Sequence, residues 1–351
     1  MMDLSLTMPA FTGAGKRLRA SQFHCSINFS PRRHTRRAAA QGRLTCVLLG
    51  VVLLFVTALA WGAEGTSLAV IYPDLGEPYR EIFTKIIEGI ESQAGAPAAK
   101  HPLRSDTDID ALKSNLHRQN ARVVIALGRQ GMKVAATLER NIGVVVGGVL
   151  TVPESEGRGQ PVISLAPDPA LLFARLKALM PATKRVFVVY DPNINTWLMK
   201  LAKEAARGQG LELVAFEAQD LRTAVKIYQD ILSASDSRQD TLWLPQDSTT
   251  VEEGTVLPLV LQESWNRNLA VFSSNFGHVR RGALFSLYPN NVELGRHLAA
   301  LAQAFLVSGE HEARGMIPLR EVLIAINLRT AKHLSINPGR QQGFDVAFPE
   351  Q

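Results

Sequence analysis

Five short polar stretches carry the side chains best suited to holding a small polar molecule. They are Tyr72-Pro73-Asp74, Gly128-Arg129-Gln130, Asp191-Pro192-Asn193 with Asn195-Thr196-Trp197, Gln246-Asp247-Ser248-Thr249, and Ser273-Ser274-Asn275. Carboxylates, amides and hydroxyls supply acceptors and donors in a compact space. Arg129 offers a bidentate partner for a carboxylate, and Trp197 and Tyr288 offer flat faces on which an apolar ligand can stack. Each stretch also has an ordinary reading. Asp, Asn, Ser and Thr cap helices and shape turns, a surface arginine is commonly only solvated, and an aromatic ring commonly packs beneath a loop. Position lifts the set above that reading, because each stretch directly follows a short Val/Ile/Leu-rich run. A fold that aligns those runs gathers all five at one edge, where helix N-termini add backbone N–H groups for an anion.

The signatures of catalysis are missing. No G-x-G-x-x-G follows a strand pattern, no G-x-S-x-G is present, and GAGK at 13–16 is followed by Arg17 where a phosphate loop needs Ser or Thr. Beyond residue 63 the histidines are His101, His117, His278, His297, His311 and His333, with no H-x-x-x-H pair. The two cysteines, Cys25 and Cys46, both precede residue 64. The expectation is therefore no metal, no cofactor and no enzyme activity.

The elements that must position the polar stretches alternate along the chain. Strands are expected at Leu68–Tyr72, Arg122–Leu127, Gly143–Gly147, Val162–Leu165, Arg185–Tyr190, Leu211–Phe216, Thr241–Leu244, Leu269–Ser273 and Ala283–Leu287. Helical patterns fall at 77–93, 107–118, 130–139, 168–180, 196–208, 220–233, 256–267 and 291–307. Such alternation reads as α/β, with parallel sheets covered by helices on both faces. It happens twice, over about 67–150 and 183–275, separated by the loop-like Thr151–Pro161. Two doubly wound, Rossmann-like lobes are expected, with ligands at the carboxyl ends of their strands.

Charge locates the chain. The net charge of +6 suggests nucleic acid or an anionic surface, but its distribution argues against both. Residues 1–63 hold eight Lys/Arg against one acid, Asp3, which leaves 64–351 at a net −1. No nucleic-acid partner is expected. Leu44–Ala63 is uncharged and mostly apolar, follows that basic segment, and contains Ala58-Leu59-Ala60, a small-x-small pattern for a signal peptidase. It reads as a signal peptide or, uncleaved, as an anchor. Either places the rest outside the cytoplasm, in a periplasm or at a cell surface, and the absence of cysteine there requires no disulfide.

The segments VFVVYDPNINTW, TLWLPQDSTT, AVFSSNFGHVRRGALFSLYPNNVELGRHLAALAQAFL and LIAINLRTAKHLSI follow one another as in ABC-transporter substrate-binding proteins. The chain resembles the group similar to tryptophan/tyrosine-type binding proteins, with the type I periplasmic-binding-protein fold, over roughly 67–337. RVVIALGRQGMKVAA resembles that group's strand, glycine turn and helix. The resemblance implies a hinge of three crossings, near Leu165–Pro167, Phe285–Tyr288 and Met316–Arg320. Helix 291–307 then returns to the first lobe, and Val322–Ile326 completes the second. The implied division is a leader at 1–63, a first lobe at 64–165 plus 288–316, and a second at 166–287 plus 317–351. It also implies that Asp191, Asn193, Asn195 and Thr196 share one ligand-facing loop, Asp247 and Ser248 a second, and Ser274 and Asn275 a third. The group often has small residues where this chain has Arg129-Gln130, and commonly Asp where it has Asn275, so a ligand without an amine is expected.

Together these readings describe a monomeric solute-binding protein that closes on an amino-acid-like or other small organic molecule. Its partner is an ABC permease in the inner membrane. The competing reading is an extracytoplasmic ligand sensor acting with a membrane signalling partner. An enzyme on the same scaffold needs a clustered nucleophile and base, and no pairing with histidine is visible in the sequence.

Overall fold

Strands that are apolar on both faces must be covered on both faces, and helices do this in each half of the chain. In the computed structural model, residues 67–152, 159–311, 313–337 and 343–349 are described. The expected leader at 1–63, with its apolar segment 44–63, lies outside them. Among the described residues no helix is long and apolar enough to cross a membrane.

The first half supplies β1 (Leu68–Pro73), α1 (Tyr79–Ala94), β2 (Ala99–Leu103), α2 (Ile109–Arg118), β3 (Val123–Leu127), α3 (Gly128–Ala135), β4 (Gly143–Val149) and β5 (Pro161–Pro167). The second supplies α4 (Pro169–Leu179), β6 (Arg185–Tyr190), α5 (Pro192–Gly208), β7 (Glu212–Glu217), α6 (Leu221–Ala234), β8 (Asp240–Leu244), α7 (Val256–Asn266), β9 (Ala270–Ser273), α8 (Phe276–Arg281) and β10 (Phe285–Pro289). The chain ends with α9 (Asn291–Ser308), β11 (Gly315–Leu319), β12 (Val322–Asn327), α10 (Leu328–His333) and β13 (Val346–Phe348).

One sheet has the order β11-β5-β4-β3-β1-β2 and is parallel throughout. The other has the order β13-β12-β10-β9-β8-β6-β7 and is parallel except where β12 runs against β10. Period-two alternation sorts the strand residues between faces. Leu68, Val70, Val123 and Ile125 meet α1 and α9 through Ile86, Ile90, Leu294 and Leu298. Ala69, Ile71, Val124 and Ala126 face α2 and α3 through Leu112, Leu116 and Met132. In the second sheet Val186, Val188 and Trp243 pack on α4 and α5, while Val189, Leu242 and Val271 pack on α6 and α7.

Helices α1 and α9 cross at two glycines. A methyl group on Gly89 would overlap the carbonyl of Val292, and one on Gly295 would overlap that of Ile86. This close approach seats α9, which enters from the second sheet, against the first.

Sheet membership changes between β5 and α4, between β10 and α9, and between β11 and β12. The three passages lie side by side: Asp168 N–H donates to Leu319 O at 2.8 Å, and Asn290 N–H donates to Glu321 O at 2.9 Å. Arg320 stands 3.5 Å from Asp168, and His297 Nδ1 lies 2.9 Å from Glu321 Oε1.

Several boundaries differ from the sequence expectation. Helix α5 starts at Pro192 instead of 196, because Asp191 accepts from Asn193 N–H and Pro192 fits the first helical position. Asn193, Asn195, Thr196 and Trp197 are thus helical, not part of a loop. Helix α3 starts at Gly128, which takes φ +69°, so Arg129 and Gln130 form its first turn. Strand β2 has no strand signature because its sequence, AKHPL, is half polar and only partly buried; it is the edge strand, where proline is tolerated.

Candidate functional site

Between the lobes, at the carboxyl ends of the strands, lies a cleft of about 650 Å3. The segments after β1 and β4 give it an apolar wall of Tyr79, Ile82 and Leu150. Tyr79 is 58% and Leu150 42% exposed, so both are open to a ligand. The segments after β8 and β9 give the opposite wall, with Gln246, Asp247, Ser248, Val251, Glu252, Glu253, Asn275 and His278. Three carboxylates and no lysine or arginine line the cleft.

Of the residues expected at the site, Gln246, Asp247, Ser248 and Asn275 are on that wall. Gln246 Nε2 donates to Ser274 O at 2.7 Å, which ties the β8 and β9 ends together. Ser248 is exposed. Asn275 caps α8, accepting from Gly277 N–H at 2.8 Å.

Asp191 and Asp247 are both buried and hydrogen-bonded at every carboxylate oxygen. Asp191 Oδ1 accepts from the N–H and Nδ2 of Asn193 at 2.9 and 3.0 Å, and Oδ2 accepts from Thr249 Oγ1 at 2.9 Å. Asp247 Oδ2 accepts from Asp191 N–H at 2.7 Å and Asn195 Nδ2 at 2.9 Å. Its Oδ1 accepts from the N–H groups of Thr249 and Thr250, both at 3.0 Å. The β6 tip therefore meets the β8 tip, and Asn195, also buried, is part of the joint.

The other expected residues are dispersed. Asp74 pairs with Arg104 at 2.7 Å on the first lobe, and Gln130 Nε2 reaches Arg104 O at 3.4 Å. Arg129 is exposed and does not line the cleft, while Tyr72 packs partly buried on the first lobe's core. Thr196 Oγ1 donates to Pro192 O at 2.7 Å. Trp197 packs against the second lobe's core, its Nε1 buried without a hydrogen-bond partner. Ser274 is fully buried and accepts from Trp243 Nε1 at 3.0 Å. Tyr288 lies on Phe276, ring centroids 4.6 Å apart, and burial, with the Asp345 charge, raises its phenol pKa.

One pairing was invisible in the sequence. Ser273 Oγ and His278 Nδ1 lie 2.8 Å apart. Ser273 is fully buried, accepts from Asn275 N–H at 2.9 Å and shares its one proton between His278 and Leu244 O. Burial, then the Arg281 charge, pushes His278 down to about 4. A sealed hydroxyl beside so weak a base is a structural joint, not an activated nucleophile.

Residues 103–339 match the family described as ABC transporter substrate binding protein. The chain belongs to that family. Among solved structures, it is similar to a ligand-free, open substrate binding protein with adhesive properties from Clostridium difficile. The two share 16% identity over 80% of this chain and 98% of that one, with a TM-score of 0.58. A conserved domain protein from Vibrio cholerae is 18% identical over 80% of this chain and 99% of that one, with a TM-score of 0.50. A domain from Streptococcus pneumonia, in complex with L-Trp, is 15% identical over 80% and 99%, with a TM-score of 0.49. The first two likenesses are of fold, the type I periplasmic-binding-protein arrangement expected from the resemblance. None of the curated proteins compared matches the chain. Membership of that family implies a small-molecule ligand and an ABC permease as the kinds of partner.

Proposed function

We propose that this chain is the solute-binding component of an ABC importer, working outside the cytoplasm as a monomer and without catalysis or nucleic acid. The cleft carries the reading: in a chain of this family, both lobes line it from their strand ends. A ligand touching both walls favours the closed arrangement over the open one, and the three adjacent passages between sheets are the hinge that absorbs the change. Tyr79, Ile82 and Leu150 cover an apolar part of the ligand, while Gln246, Ser248 and Asn275 orient its polar part. Asp191 and Asn195 stand behind them and hold the β6 and β8 tips, while Asn193 and Thr196 bond only within the first turn of α5. Glu252 and Glu253, the carboxylates of the cleft not tied up in the β6–β8 joint, favour a solute with a cationic or neutral polar group over an anion.

The test is a thermal-shift screen of the purified protein against amino acids, amines, nucleobases, sugars and organic acids. A ligand at about 100 times its dissociation constant adds roughly 2.7 kcal/mol and raises Tm by several degrees. The shift should vanish in Ser248→Arg, which fills the cleft. A shift kept in full by that variant places the ligand elsewhere and overturns the reading.

A further inference from the structure

The second lobe carries a groove of about 820 Å3 that shares no lining residue with the cleft. Helices α7, α8 and α10 and strand β13 form it. Trp265, Phe348 and Leu261 supply apolar surface, and Arg280, Arg281 and Arg329 supply charge. No carboxylate lines it, in contrast to the cleft.

The arginines are arranged around the rings. Arg280 lies over Phe348 at 5.6 Å and Arg329 over Trp265 at 5.4 Å. Both arginines are exposed, and neither has an ion-pair partner among the described residues. Arg281 is anchored instead, donating to Glu253 O at 2.9 Å with its other nitrogen 3.9 Å from the Glu253 carboxylate. Trp265 is held in place from behind: it stacks on His333 at 3.7 Å, and His333 Nε2 lies 3.0 Å from Trp265 O.

Like charges lining one groove repel, and an anion relieves that repulsion. A guanidinium is a planar fork that takes a carboxylate in two parallel hydrogen bonds. Aromatic side chains already held in place along the groove meet an apolar body at small ordering cost. The volume falls in the range of small-molecule sites, about 300–1,000 Å3. We propose that this groove is a second binding site, for an organic anion whose carboxylate is carried on a flat apolar body. Arg280 and Arg329 bind the carboxylate and Trp265 and Phe348 bind the body. The site is independent of whatever the cleft binds.

Isothermal titration of the full chain tests this, with naphthoate as the probe. Naphthalenemethanol, which lacks the charge, and inorganic phosphate, which lacks the ring, are the comparison ligands. Naphthoate should bind saturably, and both comparison ligands should bind at least about tenfold more weakly. The double variant Arg280→Gln/Arg329→Gln, altered only at exposed positions, should keep the wild-type Tm and lose at least about tenfold in naphthoate affinity. The cleft variant Ser248→Arg should bind naphthoate as the wild type does. No saturable binding at millimolar naphthoate overturns the proposal. So does unchanged affinity in the double glutamine variant, equal binding of either comparison ligand, or loss of binding in Ser248→Arg.

Discussion

The backbone N–H of Asp191 donates to Oδ2 of Asp247 at 2.7 Å, joining the carboxyl ends of two directly paired strands, β6 and β8. Through this bond the first turn of α5 and the Gln246–Thr250 loop become one rigid piece. The cleft presents only the far side of that piece, with Gln246 and Ser248 toward solvent and the carboxylates turned inward. A site on rigid strand ends needs such support from behind, since a ligand contact is only as exact as the group that holds it.

Asp247→Ala leaves four N–H groups without their acceptor: those of Asp191, Thr249 and Thr250 and the Asn195 amide. Unpaired buried donors cost about 1–3 kcal/mol each before relaxation and water entry. A net loss of about 3 kcal/mol is expected, lowering Tm by roughly 5–10 °C. If Asp247 mainly contacts ligand, its removal leaves the Tm of the ligand-free protein unchanged. Differential scanning calorimetry separates the two outcomes.

How much of this was legible in the sequence differs between frame and site. The frame was legible because strands buried on both faces are unbroken apolar runs, and β6 begins and ends where its run does, at Arg185 and Tyr190. The polar wall was half legible, since Gln246, Ser248 and Asn275 follow such runs directly. Tyr79, Ile82 and Leu150 were not, although they also follow β1 and β4. An apolar residue after a strand reads as the start of a helix or as core, and only the structure leaves Tyr79 and Leu150 exposed. Asp191 is the opposite case: the sequence puts it at a strand end, but nothing in the sequence shows which way its carboxylate turns.

Tyr79 supplies a functional prediction with no stability cost. It is 58% exposed on the cleft's apolar wall, so Tyr79→Ala should change Tm by less than about 1 °C. Affinity for the cleft ligand should fall about tenfold, the order of one stacked or covered aromatic contact. Equal affinity in the variant, measured by titration calorimetry, removes Tyr79 from the ligand contacts.

His278 makes stability depend on pH. Burial, then Arg281, holds its folded pKa at about 4, against about 6.5 in the unfolded chain. Below about pH 6.5 the unfolded chain takes up a proton that the folded protein refuses. The contribution is therefore complete above about pH 6.5 and is lost as pH falls towards 4, with roughly 2 kcal/mol gone by about pH 5. His278→Asn removes the titrating ring, so the Tm difference between pH ~7 and pH ~5 should shrink relative to the wild type. Identical pH dependence in the two proteins assigns the acid sensitivity to other groups.

Gly89 and Gly295 set how closely α1 and α9 approach. A β-carbon at either position would run into the carbonyl oxygen of the opposite helix, and backbone cannot swing aside as a side chain can. The helices would have to separate, opening the layer in which Ile86, Ile90, Leu294 and Leu298 interlock. In an exposed helix interior, glycine to alanine would stabilise by up to about 1 kcal/mol. Here overpacking reverses the sign, and Gly295→Ala should destabilise by about 2 kcal/mol or more. Because α9 begins where the chain leaves the second sheet at Asn290, its displacement also pulls on the Asn290–Glu321 hydrogen bond between two of the passages. Ser308→Ala, near the exposed end of the same helix, is the control and should stay within about 0.5 kcal/mol of the wild type. A neutral or stabilising Gly295→Ala in chemical denaturation shows that the two helices can part without loss, and that their contact does not fix the position of α9.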